Sequence, residues 1–287
     1  MSVPIVANSS GEEGNTINSS PSPKRQVSPA IQRCSTLHNY TESDIKVAFL
    51  IPTTSSGRAW KRPEDSYLHK FVLKSLSAHL PPGISLVFYV GFDVNDPFYK
   101  STTMRSAIES LHPEVRFRWE GFTPDPGNVT RIWNGLARLA LEDQCTYFMV
   151  GGDDIVYPPD KEWLHTFIHD LQANHNIGWI SGFSGGNSSI ATQFFLHRTH
   201  MEMLGWVFPP QLRNWYCDDF LNEVYPEKYR VWHKHVPMPN SGGPERYKPN
   251  NHRALCDQLV ARHRDPLARS IAERVASAEP PPAPHQE

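Results

Sequence analysis

The chain has 287 residues, 39% of them hydrophobic, so it is long enough to bury a complete core. Its 28 Lys and Arg residues nearly balance its 30 Asp and Glu residues, which argues against a nucleic-acid partner or an anionic membrane held by bulk charge. No segment contains the roughly 18 consecutive apolar residues of a membrane span, and the N-terminus has no signal-peptide pattern, so we expect a cytoplasmic protein.

The two ends of the chain are poor in apolar residues. Residues 1–44 are dominated by Ser, Asn, Pro, Gly and charged side chains, and residues 277–287 are rich in Pro. Such segments bury too little apolar surface to offset the entropy that is lost on ordering. We therefore predict two disordered tails around a single globular domain at 45–276.

Within that domain, apolar runs alternate with segments whose apolar residues recur at helical spacing. The predicted strands are 46–54, 84–93, 115–122, 146–150 and 177–183, and the predicted helices between them are 67–80, 97–112, 128–140 and 161–174. Strands that alternate with helices of this length indicate an α/β, Rossmann-like domain with a mainly parallel sheet flanked by helices. In such sheets, ligands bind beyond the carboxyl ends of the strands, so we expect 52–56, 93–96 and 151–154 to line one crevice.

The segment "YFMVGGDDIVY" places two adjacent carboxylates, Asp153 and Asp154, directly after an apolar strand. Because neighbouring carboxylates repel each other, we expect a cation beside them. Mg²⁺ or Mn²⁺ fits, since these ions prefer oxygen ligands and Mg²⁺ commonly shares one or two carboxylates with substrate phosphates. Gly151 and Gly152 would let a nucleotide or the metal approach the backbone. The alternative is that the pair only caps a turn.

Together these motifs resemble GT-A fold glycosyltransferases, and among them glycosyltransferase family 2, over residues 45–247. "VAFLIPTTS" is similar to that family's first strand and nucleotide loop, "GFDVND" to the end of its second strand, and "GNVTRIWNGLARLALEDQCTYFMVGGDD" to the helix that leads into its DxD-type metal motif. The resemblance implies a GT-A fold and a metal bound by Asp153 and Asp154, which here are adjacent. The residues that it places at the nucleotide sugar are Pro52, Thr53, Thr54, Asp93, Arg131, Asn134, Gly152 and Asp153.

The segment "TQFFLHRTHMEMLGWVFPPQLRNWYCDDFLNEVY" is similar to the acceptor side of the same family, which ends in an acidic pair at a helix start. This match implies that Asp219 deprotonates the acceptor hydroxyl, with Asp218 as the second candidate. The apolar spacing in "NWYCDDFLNEV" also indicates a helix, whose dipole favours carboxylates in the first turn. The alternative is that both residues only stabilise the helix start.

Three further features have two interpretations each. His233 and His235 lie two residues apart on a predicted strand, so their side chains share a face. The resemblance implies that either histidine completes the metal shell. The alternative is that each is a solvent-exposed or core histidine. "NSGGPERY" (240–247) is either a lid over phosphate oxygens or an ordinary surface loop. The basic loop that contains Arg58, in "SSGRAWKRPED", either binds phosphate or is solvated.

The sequence thus predicts a metal-dependent glycosyltransferase of the hexosyltransferase type that inverts the anomeric centre. Its donor would be a UDP- or GDP-sugar, and its acceptor a hydroxyl of an unidentified glycan, lipid or protein. One alternative is a nucleotidyltransferase that acts on a sugar phosphate, although no Gly-rich phosphate loop with a basic residue follows the first strand. The other is a GT-A-like domain that binds carbohydrate or a partner without turnover.

Overall fold

The computed structural model describes residues 45–77, 83–186, 188–243 and 251–278. The tail predicted at 1–44 lies outside these ranges, as does the tail predicted at 277–287 apart from its first two residues. Ser277 is the last residue of a helix.

The strands of the described ranges form one seven-stranded sheet, in the order β3-β2-β1-β4-β6-β5-β7. They are β1 (Lys46–Pro52), β2 (Ser85–Asp93), β3 (Arg116–Phe122), β4 (Tyr147–Val150), β5 (Trp179–Phe183), β6 (Phe194–His197) and β7 (Arg230–Pro237). Only β6 is antiparallel to its neighbours in this sheet. The predicted mainly parallel sheet is confirmed. β6 was not predicted, because only three of its four residues are apolar and polar residues flank the strand, whereas all four residues of β4 are apolar.

Helices flank the sheet. They are α1 (Lys74–Ser77), α2 (Thr102–Leu111), α3 (Val129–Glu142), α4 (Glu162–Ala173), α5 (Thr199–Leu204), α6 (Cys217–Val224) and α7 (Arg253–Ser277). A π-helical segment at Leu68–Leu73 leads into α1, where the sequence predicted one α-helix at 67–80, whose last three residues lie outside the described ranges. Within those ranges, no helix combines the length and the apolar character that crossing a membrane requires.

Two hydrophobic clusters cover the two faces of the sheet. Ala48 and Leu50 of β1 belong to the cluster that contains residues of α3, α6 and α7. Val47, Phe49 and Ile51 belong to the other cluster, which includes residues of α2, α4 and the π-helical segment. Because successive strand residues point to opposite faces, a strand covered on both sides needs a continuous apolar run. The central position of β1 therefore explains the sequence "VAFLI".

Candidate active site

Two adjoining cavities open beyond the carboxyl ends of the central strands. Cavity A has a volume of about 750 Å³. It is lined by residues 52–59, by residues 93 and 95–97, and by the segment that joins β3 to α3. Cavity B, of about 620 Å³, is lined by residues that follow β4, precede β6 and begin α6. Pro52 and Val129 line both cavities. The crevice expected from the strand ends is therefore present as two joined compartments, each within the size range of small-ligand sites.

Asp96 fixes the loops that form one wall of cavity A. Its carboxylate accepts hydrogen bonds from the backbone N–H of Ser55 (2.7 Å), from the Ser55 hydroxyl (2.7 Å) and from Thr54 Oγ1 (3.1 Å). It also accepts from the backbone N–H groups of Phe98 (3.0 Å) and Tyr99 (2.9 Å). Asp96 thus ties the loop after β1 to the loop after β2. The sequence placed it at the crevice but gave it no role.

Asp93, predicted to face the nucleotide sugar, lies at the end of β2 and lines cavity A. Burial raises the pKa of its carboxyl group, and the nearby charge of Arg131 partly offsets that rise. Arg131 Nη2 lies 3.7 Å from Asp93 Oδ1, while its guanidinium donates to the Thr123 carbonyl and lies over the Phe122 ring. Arg131 is not part of the lining of either cavity. It therefore acts on the site through Asp93.

Asn134, predicted to face the nucleotide sugar, contacts the protein instead. Its side-chain oxygen accepts from the backbone N–H groups of Val207 (2.9 Å) and Phe208 (3.1 Å), and its amide nitrogen donates to the Phe208 carbonyl (2.8 Å). The side chain is buried and lines neither cavity. Asn134 joins α3 to the 207–208 segment, because a buried amide requires hydrogen-bond partners.

The first acidic pair is split between the interior and cavity B. Asp153 is 0% exposed and accepts a hydrogen bond of 2.6 Å from Thr53 Oγ1, whereas Asp154 is half-buried and lines cavity B. Gly242 packs against Asp154 so closely that an added Cβ would lie 2.3 Å from Asp154 Oδ2. At Gly152, which also lines cavity B, an added Cβ would lie 2.8 Å from Asp154 Oδ1. Glycines at both positions leave room for the carboxylate.

The second acidic pair lies in the same cavity. Asp218 and Asp219 are in the first turn of α6, and both line cavity B. Burial, reinforced by the charge of Asp219, raises the pKa of Asp218 to about 7. Asp219 Oδ1 lies 3.5 Å from Arg253 Nη1 of α7. Tyr216, at the N-terminal cap, has φ +69°, a conformation that is strained for an aromatic residue and that is typical of functional sites.

Aromatic side chains complete the wall of cavity B. Trp133, Phe208, Trp215 and Tyr216 line it, and Trp215 is 39% exposed. The Trp133 indole donates to the Gly151 carbonyl at 3.1 Å, which fixes this ring beside the β4 end. An exposed Trp beside two carboxylates provides an apolar face and polar groups together, which suits a sugar ring.

His233 and His235 lie elsewhere. His233 Nε2 is 2.7 Å from Asp170 Oδ2, and its ring stacks on Phe167 of α4. The His235 ring packs edge-on against His233, and neither histidine lines cavity A or B. In the described part of the chain, no group of three or more His, Cys, Asp or Glu residues is arranged to hold a metal ion. The geometry therefore gives neither histidine a place beside Asp154, because β7 directs His233 toward α4.

The two cavities carry a strongly acidic lining. Their carboxylates are Asp93, Asp96, Asp125, Asp154, Asp218 and Asp219. Among the described residues that line the cavities, Arg58 has the only basic side chain. Some carboxylates have cationic partners outside the lining, such as Arg213 for Asp125 and Arg253 for Asp219. An anionic ligand in this place would be repelled unless a cation entered with it.

Comparisons with known proteins give the fold. No protein-family model matches the sequence, and no curated protein matches it. Residues 1–349 of S. aureus TarS, solved in complex with UDP-GlcNAc, are 13% identical with a TM-score of 0.54, over 81% of this chain and 72% of that one. TarS 1–349 solved without UDP-GlcNAc has a TM-score of 0.53 at 13% identity, over 81% of this chain and 71% of that one.

A mannosyltransferase from Pyrobaculum calidifontis, PcManGT, solved with GDP-Man and Mn²⁺, is 12% identical over 82% of this chain and 76% of that one. Its TM-score is 0.46. The TarS likeness and the strand order together show that this chain has the GT-A-type glycosyltransferase fold, as the motifs implied.

Proposed function

We propose that the protein is a metal-dependent, inverting glycosyltransferase that takes a UDP- or GDP-sugar as donor. The observation that carries this proposal is the meeting of Asp154, from the end of β4, with Asp218 and Asp219, from the start of α6, in one cavity. A separate compartment of nucleoside size adjoins that cavity. The chain thus offers carboxylates for a cation and for a base in the cavity that adjoins the proposed nucleotide compartment.

The nucleoside would occupy cavity A. Asp93 at its wall offers a carboxylate oxygen to an N–H group of a base or to a ribose hydroxyl. Thr53 and Thr54 line the same wall, and their hydroxyls are already engaged with Asp153 and Asp96. These threonines therefore shape the cavity and hold its loops, while direct contacts to the nucleoside would come from Asp93 and from backbone groups of 52–57.

The residues present fit a divalent cation that is bound by a single protein carboxylate. Asp154 would hold it, and Asp153, turned toward Thr53, would hold Asp154's backbone in place. One protein carboxylate is sufficient for Mg²⁺ or Mn²⁺ when diphosphate oxygens supply further ligands. A cation held there would supply positive charge that offsets both the negative charge on the departing nucleotide and the repulsion between the acidic lining and the anionic donor.

A carboxylate of the second pair would accept the proton of the acceptor hydroxyl. The sequence ranked Asp219 first, but two observations support Asp218. Its pKa of about 7 suits a base at neutral pH, since a base that is too acidic takes up little of the proton. Asp219 is engaged with Arg253. Attack by the deprotonated acceptor on the face of the sugar away from the leaving nucleotide would invert the anomeric centre.

The test is release of nucleoside diphosphate from a panel of UDP- and GDP-sugars, with Mn²⁺ or Mg²⁺ and with a chelator. Transfer to an acceptor, or slow hydrolysis without one, that stops when the chelator is added supports the proposal. Pyrophosphate release from a nucleoside triphosphate and a sugar phosphate would identify a nucleotidyltransferase instead. Tight nucleotide-sugar binding with no turnover on any acceptor would identify a binding domain.

A further inference from the structure

Arg58 occupies a defined place in the loop that follows β1. Gly57 before it has φ +71°, and the backbone of Ser55 is fixed by Asp96, so the direction of this loop is set by its own contacts. The Arg58 guanidinium lies over the Tyr67 ring, 4.6 Å from its centroid, and Nη2 donates to the Gly242 carbonyl at 3.1 Å. The side chain is therefore held at cavity A, which excludes the interpretation of a freely solvated loop.

The charge balance of the site makes this position unusual. Arg58 has the only basic side chain among the described residues that line the two cavities, whose other charged residues are carboxylates. Arg58 Nε is shielded from solvent and has no hydrogen-bond partner within the described ranges. A guanidinium has five N–H donors, so the contact with Gly242 leaves donor capacity for a ligand.

Gly242 connects Arg58 to Asp154. Its carbonyl accepts from Arg58, and its Cα lies against the Asp154 carboxylate, where an added Cβ would be 2.3 Å from Oδ2. The segment that carries Gly242 is fixed to the β4 end by hydrogen bonds from Ser241 N to the Asp154 carbonyl (2.8 Å) and from Val156 N to the Pro239 carbonyl (3.0 Å). A cationic and an anionic side chain thus lie on two sides of one glycine.

We propose that Arg58 binds the diphosphate group of the nucleotide donor, at the junction between cavity A and Asp154. This inference rests on the proposed function, since it requires a donor that carries a diphosphate. The guanidinium matches the geometry of two phosphate oxygens, and such charge-assisted hydrogen bonds are about twice as strong as neutral ones. Arg58 would then hold the diphosphate close to Asp154, the residue that would hold the cation.

The experiment measures the dissociation constants of UDP, GDP, UMP, GMP and uridine in the presence of Mn²⁺, for wild type, Arg58→Gln and Arg58→Lys. Lys61→Gln is the matched control, because Lys61 is an exposed cation of the same loop and its side chain has no contact with the cavities. We expect Arg58→Gln to weaken binding of the preferred diphosphate by about 10- to 100-fold, and Arg58→Lys to weaken it less. Uridine binding and the control should be unchanged.

Equal affinity of wild type and Arg58→Gln for the diphosphate would overturn this inference and leave the proposed function standing. An equal loss for uridine and UDP would also overturn it, since that pattern indicates a collapsed cavity rather than a lost phosphate contact. Should Arg58→Gln fail to fold, Arg58→Lys decides: a selective loss of diphosphate affinity supports the inference, and unchanged affinity contradicts it. No nucleotide binding by the wild type would contradict the inference and the proposed function together.

Discussion

The chain contains two Asp-Asp pairs at its cavities, and the two pairs are used differently. At the end of β4 the backbone separates the side chains, so Asp153 turns inward to Thr53 while Asp154 lines cavity B. At the start of α6 both carboxylates of the pair reach the same cavity. The comparison teaches that the element that carries a motif determines how many of its carboxylates reach a ligand.

The electrostatic consequences also differ. Asp153 is fully buried and hydrogen-bonded, and its charge contributes to the raised pKa of the buried Tyr99 hydroxyl, whose main cause is burial. Asp218 is crowded by Asp219, and its own pKa is raised. The first pair therefore provides one structural and one ligand-binding group. The second pair provides a carboxyl group that changes protonation near neutral pH, which suits proton transfer.

The largest expected effect separates the two members of the second pair. Asp218→Asn should lower kcat by about 10²- to 10⁴-fold, the usual contribution of a general base, while donor binding is retained. Asp219→Asn should lower kcat by a smaller factor, because Asp219 Oδ1 lies 3.5 Å from Arg253 Nη1 and is not assigned as the base. Steady-state rates and donor affinity of both variants check this. A larger fall in kcat for Asp219→Asn than for Asp218→Asn would identify Asp219 as the base, as the sequence predicted.

The next effect separates the two members of the first pair. Asp154→Asn should lower kcat/KM by on the order of 10²- to 10³-fold with an unchanged thermal midpoint, because it removes a charge that faces the cavity. Asp153→Asn should lower the thermal midpoint, because Asp153 accepts a buried hydrogen bond. Calorimetry and kinetics on the two variants test this. Full activity in Asp154→Asn would refute its role.

A smaller effect is the pH profile. Since the carboxyl of Asp218 has its pKa raised to about 7, it is protonated below that pH and cannot act as a base. We expect kcat/KM to rise about tenfold per pH unit up to that value and then to level off. Asp219→Asn removes a charge that raises this pKa, so its profile should shift to lower pH. A profile that is flat from pH 5 to 8 would contradict the assignment.

The smallest effect concerns stability alone. Thr53→Val removes the buried hydrogen bond that Thr53 Oγ1 donates to Asp153, which should lower the free energy of unfolding by about 1–3 kcal/mol. Denaturant titration measures it, with Thr103→Val on the exposed surface of α2 as the control. Equal stability of the two variants would show that Asp153 does not depend on Thr53.

Much of the fold could be predicted from the sequence because its strong signals are local. The apolar runs of β1 and β2 and the helical spacing of α3 are read within a few residues, and they indicate a parallel sheet. β6 has only three successive apolar residues, and its antiparallel insertion between β4 and β5 depends on pairing with strands that are distant in sequence.

The details of the site depend on contacts between distant segments. Asn134 is held by Val207 and Phe208, more than seventy residues away, so its structural use has no local signal. The rotation that turns Asp153 inward and the packing of His233 on α4 are likewise set by the assembled sheet. The acidic surroundings of Arg58 are likewise created by loops from distant parts of the chain.

The most direct test of the central claim is a calorimetric titration of UDP and GDP into wild-type protein, Asp153→Asn and Asp154→Asn, each with and without Mn²⁺. We expect the wild type to bind one of the two diphosphates in a Mn²⁺-dependent manner. Asp154→Asn should lose the dependence on Mn²⁺ and most of the affinity for that diphosphate. Diphosphate binding that is equally tight without Mn²⁺, or unchanged in Asp154→Asn, would contradict it.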